Sequence, residues 1–549
     1  ATILLLREII STRTRTLLWA LTAASLCLLL IASANLANLL LARTLARRKE
    51  LAVRASLGAG QHRLLRQLLT ESTLLAFSGC VLGIALAYQS LPLFKSLIPA
   101  NVPIGEVLLD TRILTLSVAL ALFTGLAFGV LPAFSATRGA AAAGLREGSR
   151  SGIGGRKERL RSALVIVEIA VSFVLLVSSG LLIRALHRLQ ATDPGFHPEG
   201  VLSMRTALPS PKYDPVAKQQ AFYNQVLGEI RQLPGVTSAA YISFLPMTIG
   251  GGIWPVSVGG LTVSRAENHP ASLRFVTPGF FTTMGISLRA GRDVSESDTR
   301  DKQYVAVVSR SFADRYWPGQ DAVGRAFGFA ASQRTIVGIV DDIKVRGLES
   351  TSEPQVYLPY TQTADGAFSF YFPKDLVIRA VNAQSLAGPV REIIRRADPE
   401  QPVSDVRMLT DLIAADTAPR RTQLGMLGSF TAVAILLAAI GIHGLLAFAV
   451  SSRAPEIGVR IALGAQPANL LAMVLRDSLT LAGIGAAAGT VFGYLMARGM
   501  ESLLFGVTPT DPAVYLTAIA VCAAMTLFGS LFPALRALRV DPMTVLREG

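Results

Sequence analysis

The sequence predicts a polytopic α-helical membrane protein of about seven transmembrane helices, with an extracytoplasmic α/β domain inserted among them. Three observations carry that reading. Of 549 residues, 51% are hydrophobic and 16% are charged, and the mean hydropathy is +0.47; soluble chains carry about 25% charged residues. Seven apolar runs approach the roughly 20 residues a helix needs to cross the hydrocarbon core. Between the fourth and fifth runs lies a polar stretch, residues 190–420, of different character.

The runs fall near Leu17–Leu41, Ser72–Tyr88, Ile113–Phe134, Leu164–Ile183, Leu427–Val450, Leu479–Met496 and Val514–Leu535. Basic residues set their orientation. Arg43, Arg47, Arg48, Lys49, Arg54, Arg63 and Arg66 follow the first run, and Arg138, Arg146, Arg150, Arg156, Lys157, Arg159 and Arg161 lie between the third and fourth. The loop between the second and third offers only Lys95 and Arg112. The excess of basic residues places the first two loops in the cytoplasm. Residues 190–420 are then outside and the C-terminus inside. The net charge of +15 reads as this topology and not as a nucleic-acid surface. Cys27, Cys80 and Cys522 each sit in an apolar run, which leaves neither a disulfide framework nor a thiolate metal site. The chain opens on Ala1 without a signal peptide, which gives the expectation of an N-terminal truncation.

One stretch occurs twice. Glu50-Leu51-Ala52-Val53-Arg54-Ala55-Ser56-Leu57-Gly58-Ala59 returns 406 positions later as Glu456-Ile457-Gly458-Val459-Arg460-Ile461-Ala462-Leu463-Gly464-Ala465. In each copy Glu and Arg stand at i and i+4, neighbours on one helix face in the favourable order, and a Gly then stops the helix. A single copy would read equally well as a surface helix with a weak ion pair. Two copies, each between apolar runs, favour a short amphipathic helix that grips a partner. The repeat continues: Gly79 and Gly83 match Gly485 and Gly489, and Leu145-Arg146-Glu147-Gly148 matches Leu546-Arg547-Glu548-Gly549. The domains that follow are a first three-helix unit (1–148), a cytoplasmic linker (149–163), a transmembrane helix leading the second unit (164–189), the outer domain (190–420) and a second three-helix unit (421–549).

Within the spans, Gly485, Gly489 and Gly493 form one stripe, and Gly79, Gly83 and Ala87 another; such stripes let helices approach closely in lipid. Asn35 and Asn38 share a face where the other copy has Gly441 and Gly444, and read as interhelical hydrogen bonding before a substrate contact. Glu168 is expected in the first turns of the fourth span, snorkelling to the cytoplasmic surface. His443 reads as a packed residue. The outer region alternates strand and helix: strands at Val201–Thr206, Val236–Ser243, Tyr304–Val308 and Thr335–Val340, and helices at Pro215–Leu233 and Ser385–Arg396. This pattern predicts compact α/β lobes forming two subdomains.

The two Glu-x-x-Val-Arg-x-x-Leu-Gly-Ala stretches, the three-span units around them and the Leu-Arg-Glu-Gly endings resemble the MacB/FtsX-like permeases of ABC transporters. The outer region is similar to the MacB-type periplasmic domain through Pro194-Gly195-Phe196, Pro234-Gly235-Val236, Thr277-Pro278-Gly279-Phe280-Phe281 and Ile336-Val337-Gly338-Ile339-Val340 followed by Asp341-Asp342. The tandem arrangement resembles the duplicated orphan permeases of that superfamily, here without the first span and first outer domain. The resemblance implies a multi-pass protein of the bacterial inner membrane. It also implies that residues 49–60 and 455–466 are coupling helices, with Glu50, Arg54, Leu57, Gly58, Glu456, Arg460, Leu463 and Gly464 meeting cytoplasmic ABC ATPase subunits.

The chain has no Gly-Lys dipeptide, hence no phosphate-binding loop of the Gly-x-x-x-x-Gly-Lys type, and neither a Gly-x-Ser-x-Gly elbow nor a His-Glu-x-x-His motif. No catalytic, cofactor or metal residues are expected, and ATP would be bound by a separate subunit. The leading function is an ABC permease that couples hydrolysis by that subunit to motion of the outer domain, for export or extraction of a substrate. Its partners would be the ATPase, membrane lipid and an extracytoplasmic protein, with no nucleic acid. The alternative is a transmembrane signalling or scaffold protein regulating an envelope enzyme. A secondary transporter is disfavoured because the spans lack paired ionisable residues.

Overall fold

A computed structural model describes residues 12–46, 61–97, 110–143, 154–248, 251–259, 271–329, 332–452 and 466–537. The chain divides into a membrane unit, Ala1–Arg188 with Pro419–Gly549, and an outer unit, Leu189–Ala418.

The membrane unit is helical. Its helices are α1 (Thr12–Ala46), α2 (Gln61–Leu97), α3 (Thr111–Ala143) and α4 (Gly154–Gln190), which precede the outer unit. After it, and after the helices α5–α8 that the outer unit contains, come α9 (Leu409–Ser452), α10 (Pro467–Gly499) and α11 (Pro512–Ala537). Six of these are long and apolar enough to cross a membrane, and α3 holds a shorter apolar segment, Thr111–Ala127. Helix α4 is the hub. Val165, Ile169, Phe173, Val177 and Leu181 recur every four residues and bury one stripe with Ala438 and Ile442 of α9, Ala482 of α10 and Val514, Ala518 and Cys522 of α11. A second stripe, Leu175 and Leu182, packs with Ala20, Ala24 and Ile31 of α1 and Leu427 and Ala434 of α9. Two thirds of its spanning segment is buried (67%), against none of that of α2.

The glycine stripes explain part of this. A methyl group on Gly485 would stand 2.8 Å from Ile169 Cβ, and one on Gly489 2.7 Å from Phe173 Cβ, so α10 and α4 are packed backbone to side chain. The matching stripe in the first copy differs: nothing lies within 4 Å of such a group on Gly79 or Gly83.

The outer unit is a mixed sheet with helices against it. Strands β1 (Val201–Thr206), β2 (Val236–Ile242), β11 (Asp375–Ala380) and β12 (Val403–Met408) pair antiparallel in the order β12-β1-β11-β2. With helices α5 (Val216–Ile230) and α8 (Ala387–Ala397) they form two split β-α-β units. Phe222, Tyr223, Val226 and Ile230 of α5, and Val390, Ile393 and Ile394 of α8, supply the apolar faces that cover the sheet. Between β2 and β11 the chain builds a second half: β5 (Ala271–Val276), β10 (Gln355–Pro359), β7 (Val305–Ser309), β9 (Ser332–Val340), β8 (Ala326–Phe329) and β4 (Val256–Val258) lie side by side in that order. Two short strands, β3 (Ile253–Trp254) and β6 (Leu288–Gly291), pair at the side, on β5 and β9 respectively. Of the two short helices in this stretch of chain, α6 (Phe280–Met284) packs against β2 and β11 of the first half, and α7 (Arg310–Tyr316) against β7, β9 and β10. The two halves join in one sheet through a single residue pair, Ile242 with Val276. The expected two subdomains therefore appear as two halves of a continuous sheet.

Candidate functional site: a polar junction inside the membrane unit

The repeated stretches that the sequence singles out, with Glu50, Arg54, Leu57, Gly58, Glu456, Arg460, Leu463 and Gly464, lie outside the described residues. What the structure does bring together is a set of polar groups on α1, α4 and α9. Ile31 and Asn35 follow the buried stripe of α1, and Asn38 stands one turn further. The Asn35 side-chain amide donates to the Leu437 carbonyl of α9 at 2.7 Å. Gly441 lies one turn beyond Leu437, and its missing side chain leaves a notch. A Cβ there would stand 2.1 Å from Glu168 Oε2 and 2.4 Å from Asn35 Oδ1.

Glu168 overturns one expectation. It does not snorkel to the surface but is completely buried. Two causes are visible. Helix α4 begins at Gly154, not at the first apolar residue, so Glu168 stands four turns into it. It also lies seven residues before Leu175, on the stripe that faces α1 and α9. Neither of its carboxylate oxygens, nor either polar atom of the Asn38 side chain, has a hydrogen-bond partner among the described residues. Asn35, by contrast, makes the interhelical bond that its position suggests.

Small hydroxyls continue the seam away from Glu168. Ser179 Oγ and Thr431 Oγ1 are 2.6 Å apart, and Ser172 Oγ donates to the Ala434 carbonyl at 3.5 Å. Further along α4, Arg184 pairs with Asp511, the residue before α11. Gly180 receives Val514, whose Cγ1 would lie 2.8 Å from a methyl group there. The sequence reading missed Ser172, Ser179 and Thr431, because serine and threonine in a span carry no periodic signal of their own. The helix face that Ser172 and Ser179 share with Glu168 was the available clue.

The outer unit holds a separate cavity of about 290 Å³ between α5 and the ends of β5 and β10, lined in part by Tyr223, Arg231, Thr277, Glu296 and Tyr360. Arg231 is engaged there, donating to the Ala239 carbonyl at 3.1 Å. Among the described residues, no group of three or more His, Cys, Asp or Glu side chains is placed to hold a metal ion.

The helices, the internal repeat and the inserted sheet define a multi-pass membrane protein with a duplicated three-helix module and an α/β domain outside the membrane. The family model for the FtsX-like permease C-terminal region matches residues 22–141 and again 428–542, and that for the MacB-like periplasmic core domain matches residues 162–405. The chain belongs to the MacB/FtsX-like permeases of ABC transporters. Such permeases are multi-pass proteins of the bacterial inner membrane, and residues 190–420 form the extracytoplasmic part. Among curated relatives, the macrolide export ATP-binding/permease protein MacB of Mannheimia succiniciproducens is 22% identical over 301 residues, 53% of this chain and 45% of that protein. The pyoverdine export ATP-binding/permease protein PvdT of Pseudomonas savastanoi pv. phaseolicola is 25% identical over 262 residues, 47% of this chain and 40% of that one. The match thus spans less than half the length of these relatives. The solved periplasmic region of MacB from Actinobacillus actinomycetemcomitans aligns with 40% of this chain and 94% of that one, at 12% identity and a TM-score of 0.29.

Proposed function

We propose that the chain is the membrane part of an export or extraction system, in which a separate cytoplasmic ATPase moves the helices and α4 carries that motion to the outer domain. The observation that supports this reading is the place of α4. It is the most enclosed span, held by α1, α9, α10 and α11, and it leads, through residues 191–200, to the first strand of the outer unit. A displacement of its neighbours cannot leave it behind, because Gly485 and Gly489 seat Ile169 and Phe173 at backbone distance. The two repeated stretches, 49–60 and 455–466, are the proposed docking helices, one for each of two ATPase copies. Export of a small molecule is the reading suggested by the names of the relatives.

Reconstitution of the chain with its ATPase in lipid nanodiscs tests the coupling. Adding ATP should change amide hydrogen exchange in residues 190–420, and trapping the hydrolysis-defective ATPase should hold that change. An outer domain whose exchange is the same in every nucleotide state contradicts the reading.

A further inference from the structure

Glu168 has a setting that mechanical transmission does not require. It is a completely buried carboxylate in a spanning helix, with both oxygens unpartnered among the described residues. An ionised carboxylate so placed is strongly unfavourable unless something neutralises it. Among the described residues, the neighbouring spans supply no opposite charge. Residues 16–42 of α1 and 479–497 of α10 contain no charged side chain, and residues 512–535 of α11 contain none. Residues 422–450 of α9 contain one titratable imidazole, His443, two positions from Gly441 and so turned well away from it around the helix. Among the described residues, the polar group shown beside the carboxylate is a neutral oxygen, Asn35 Oδ1. Glu168 Oε2 and Asn35 Oδ1 converge on the Gly441 notch, no further apart than the sum of their distances to it. Asn35 is fixed there by its bond to the Leu437 carbonyl, and the unpartnered Asn38 amide lies one turn along the same helix.

We propose that Glu168, the Asn35 amide and the space left by Gly441 form an intramembrane site that binds one small monovalent cation. A single carboxylate with neutral amide oxygens balances one positive charge; divalent cations call for six or more oxygen ligands or several waters. A proton and a sodium ion share this chemistry. A proton adds to one carboxylate oxygen, and the resulting hydroxyl then donates toward Asn35 Oδ1. A sodium ion instead lies between the carboxylate and amide oxygens. In either form the bound cation is what permits α1, α4 and α9 to close around the carboxylate, so occupancy and helix packing are linked.

The test uses the full chain in lipid nanodiscs, with Glu168→Gln as the neutral counterpart. Infrared difference spectra are recorded across about pH 5 to 9, the span in which buried carboxyl groups titrate. In parallel, a hydrophobic carbodiimide, which reacts with protonated carboxyls, is applied and its adduct mapped by mass spectrometry. The expected result is a protonated-carboxyl band that disappears with rising pH, is missing from Glu168→Gln, and tracks carbodiimide labelling of Glu168. Sodium added at constant ionic strength then separates the two sources. Loss of labelling identifies sodium as a ligand, and unchanged labelling identifies the proton alone. A Glu168 band and label that persist unaltered across the whole range, or the absence of both at every pH and sodium concentration, overturns the proposal. The adduct is mapped on the wild-type chain, so the assignment stands even where Glu168→Gln does not assemble.

Discussion

Asn35 and Gly441 occupy the same place in the two copies of the repeat, 406 positions apart, and they meet face to face in the membrane unit. The repeat therefore does more than duplicate a module. It sets an asparagine from one copy against a vacancy in the other, and Glu168 of α4 uses the same vacancy. Gly441→Ala would drive a methyl group into Glu168 Oε2 and Asn35 Oδ1, and overpacking of this kind costs about 1–3 kcal/mol. Gly444→Ala, three residues on, meets nothing within 4 Å. Thermal unfolding in nanodiscs should fall for Gly441→Ala and stay level or rise slightly for Gly444→Ala. Equal effects from the two would remove the notch from the account.

The glycine stripes give a second contrast. Gly485→Leu must displace Ile169, whereas Gly79→Leu in the matching position of the first copy has open space among the described residues. Gly485→Leu is expected to lower the yield of folded protein and its unfolding temperature, with Gly79→Leu close to wild type. Size-exclusion profiles and thermal scans of the two variants side by side decide the matter.

These two contrasts mark where the sequence was legible. Seven apolar runs, their orientation and the alternation of Val201–Thr206, Pro215–Leu233 and Val236–Ser243 follow from hydropathy and period alone, and the helices and strands appear where those patterns put them. Asn35 as an interhelical donor followed from its rarity in a span. Glu168 did not, because its depth depends on where α4 begins, and the polar residues 154–163 hide that helical start from a hydropathy reading. Its environment depends on α1 and α9, which no local pattern can place beside it. The joining of the two halves of the outer sheet at Ile242 and Val276 is equally non-local.

The outer unit supplies a test of independence. Its core draws on both halves of the sheet and on α5 and α8, and its contacts group it apart from the helices at residues 189–418. A soluble segment 190–420 should unfold in one cooperative transition by circular dichroism. Aggregation, or a gradual non-cooperative loss of signal, would contradict it.

That segment should also be acid-sensitive through Asp398. Burial alone would raise this carboxyl, but hydrogen bonds from Lys212 Nζ at 2.8 Å and the Tyr213 hydroxyl at 2.7 Å outweigh it and hold the group below the usual carboxylate range. A depressed folded-state value gives stability that is present above the unfolded value of about 4 and is lost as pH falls through the folded one. The stability advantage of wild type over Asp398→Asn, from urea titrations of the domain, should therefore shrink as pH drops from about 5 to 3. An advantage that is constant with pH would assign Asp398 a packing role only.

The two repeated stretches, 49–60 and 455–466, are proposed to dock a cytoplasmic ATPase. In a docking segment that is helical, reversing Glu456 to Lys would set like charges at i and i+4 and cost only roughly 0.2–0.5 kcal/mol, so folding and insertion should survive. Breaking a buried interfacial charge pair costs about 2–5 kcal/mol of binding, roughly 30-fold or more in affinity. Copurification of the ATPase with wild type, Glu50→Lys, Glu456→Lys and the double variant, at matched membrane expression, measures this directly. The account predicts weakened association for each single variant, greater loss for the double, and loss of hydrolysis coupled to the outer domain. Wild-type association by all three variants would contradict it.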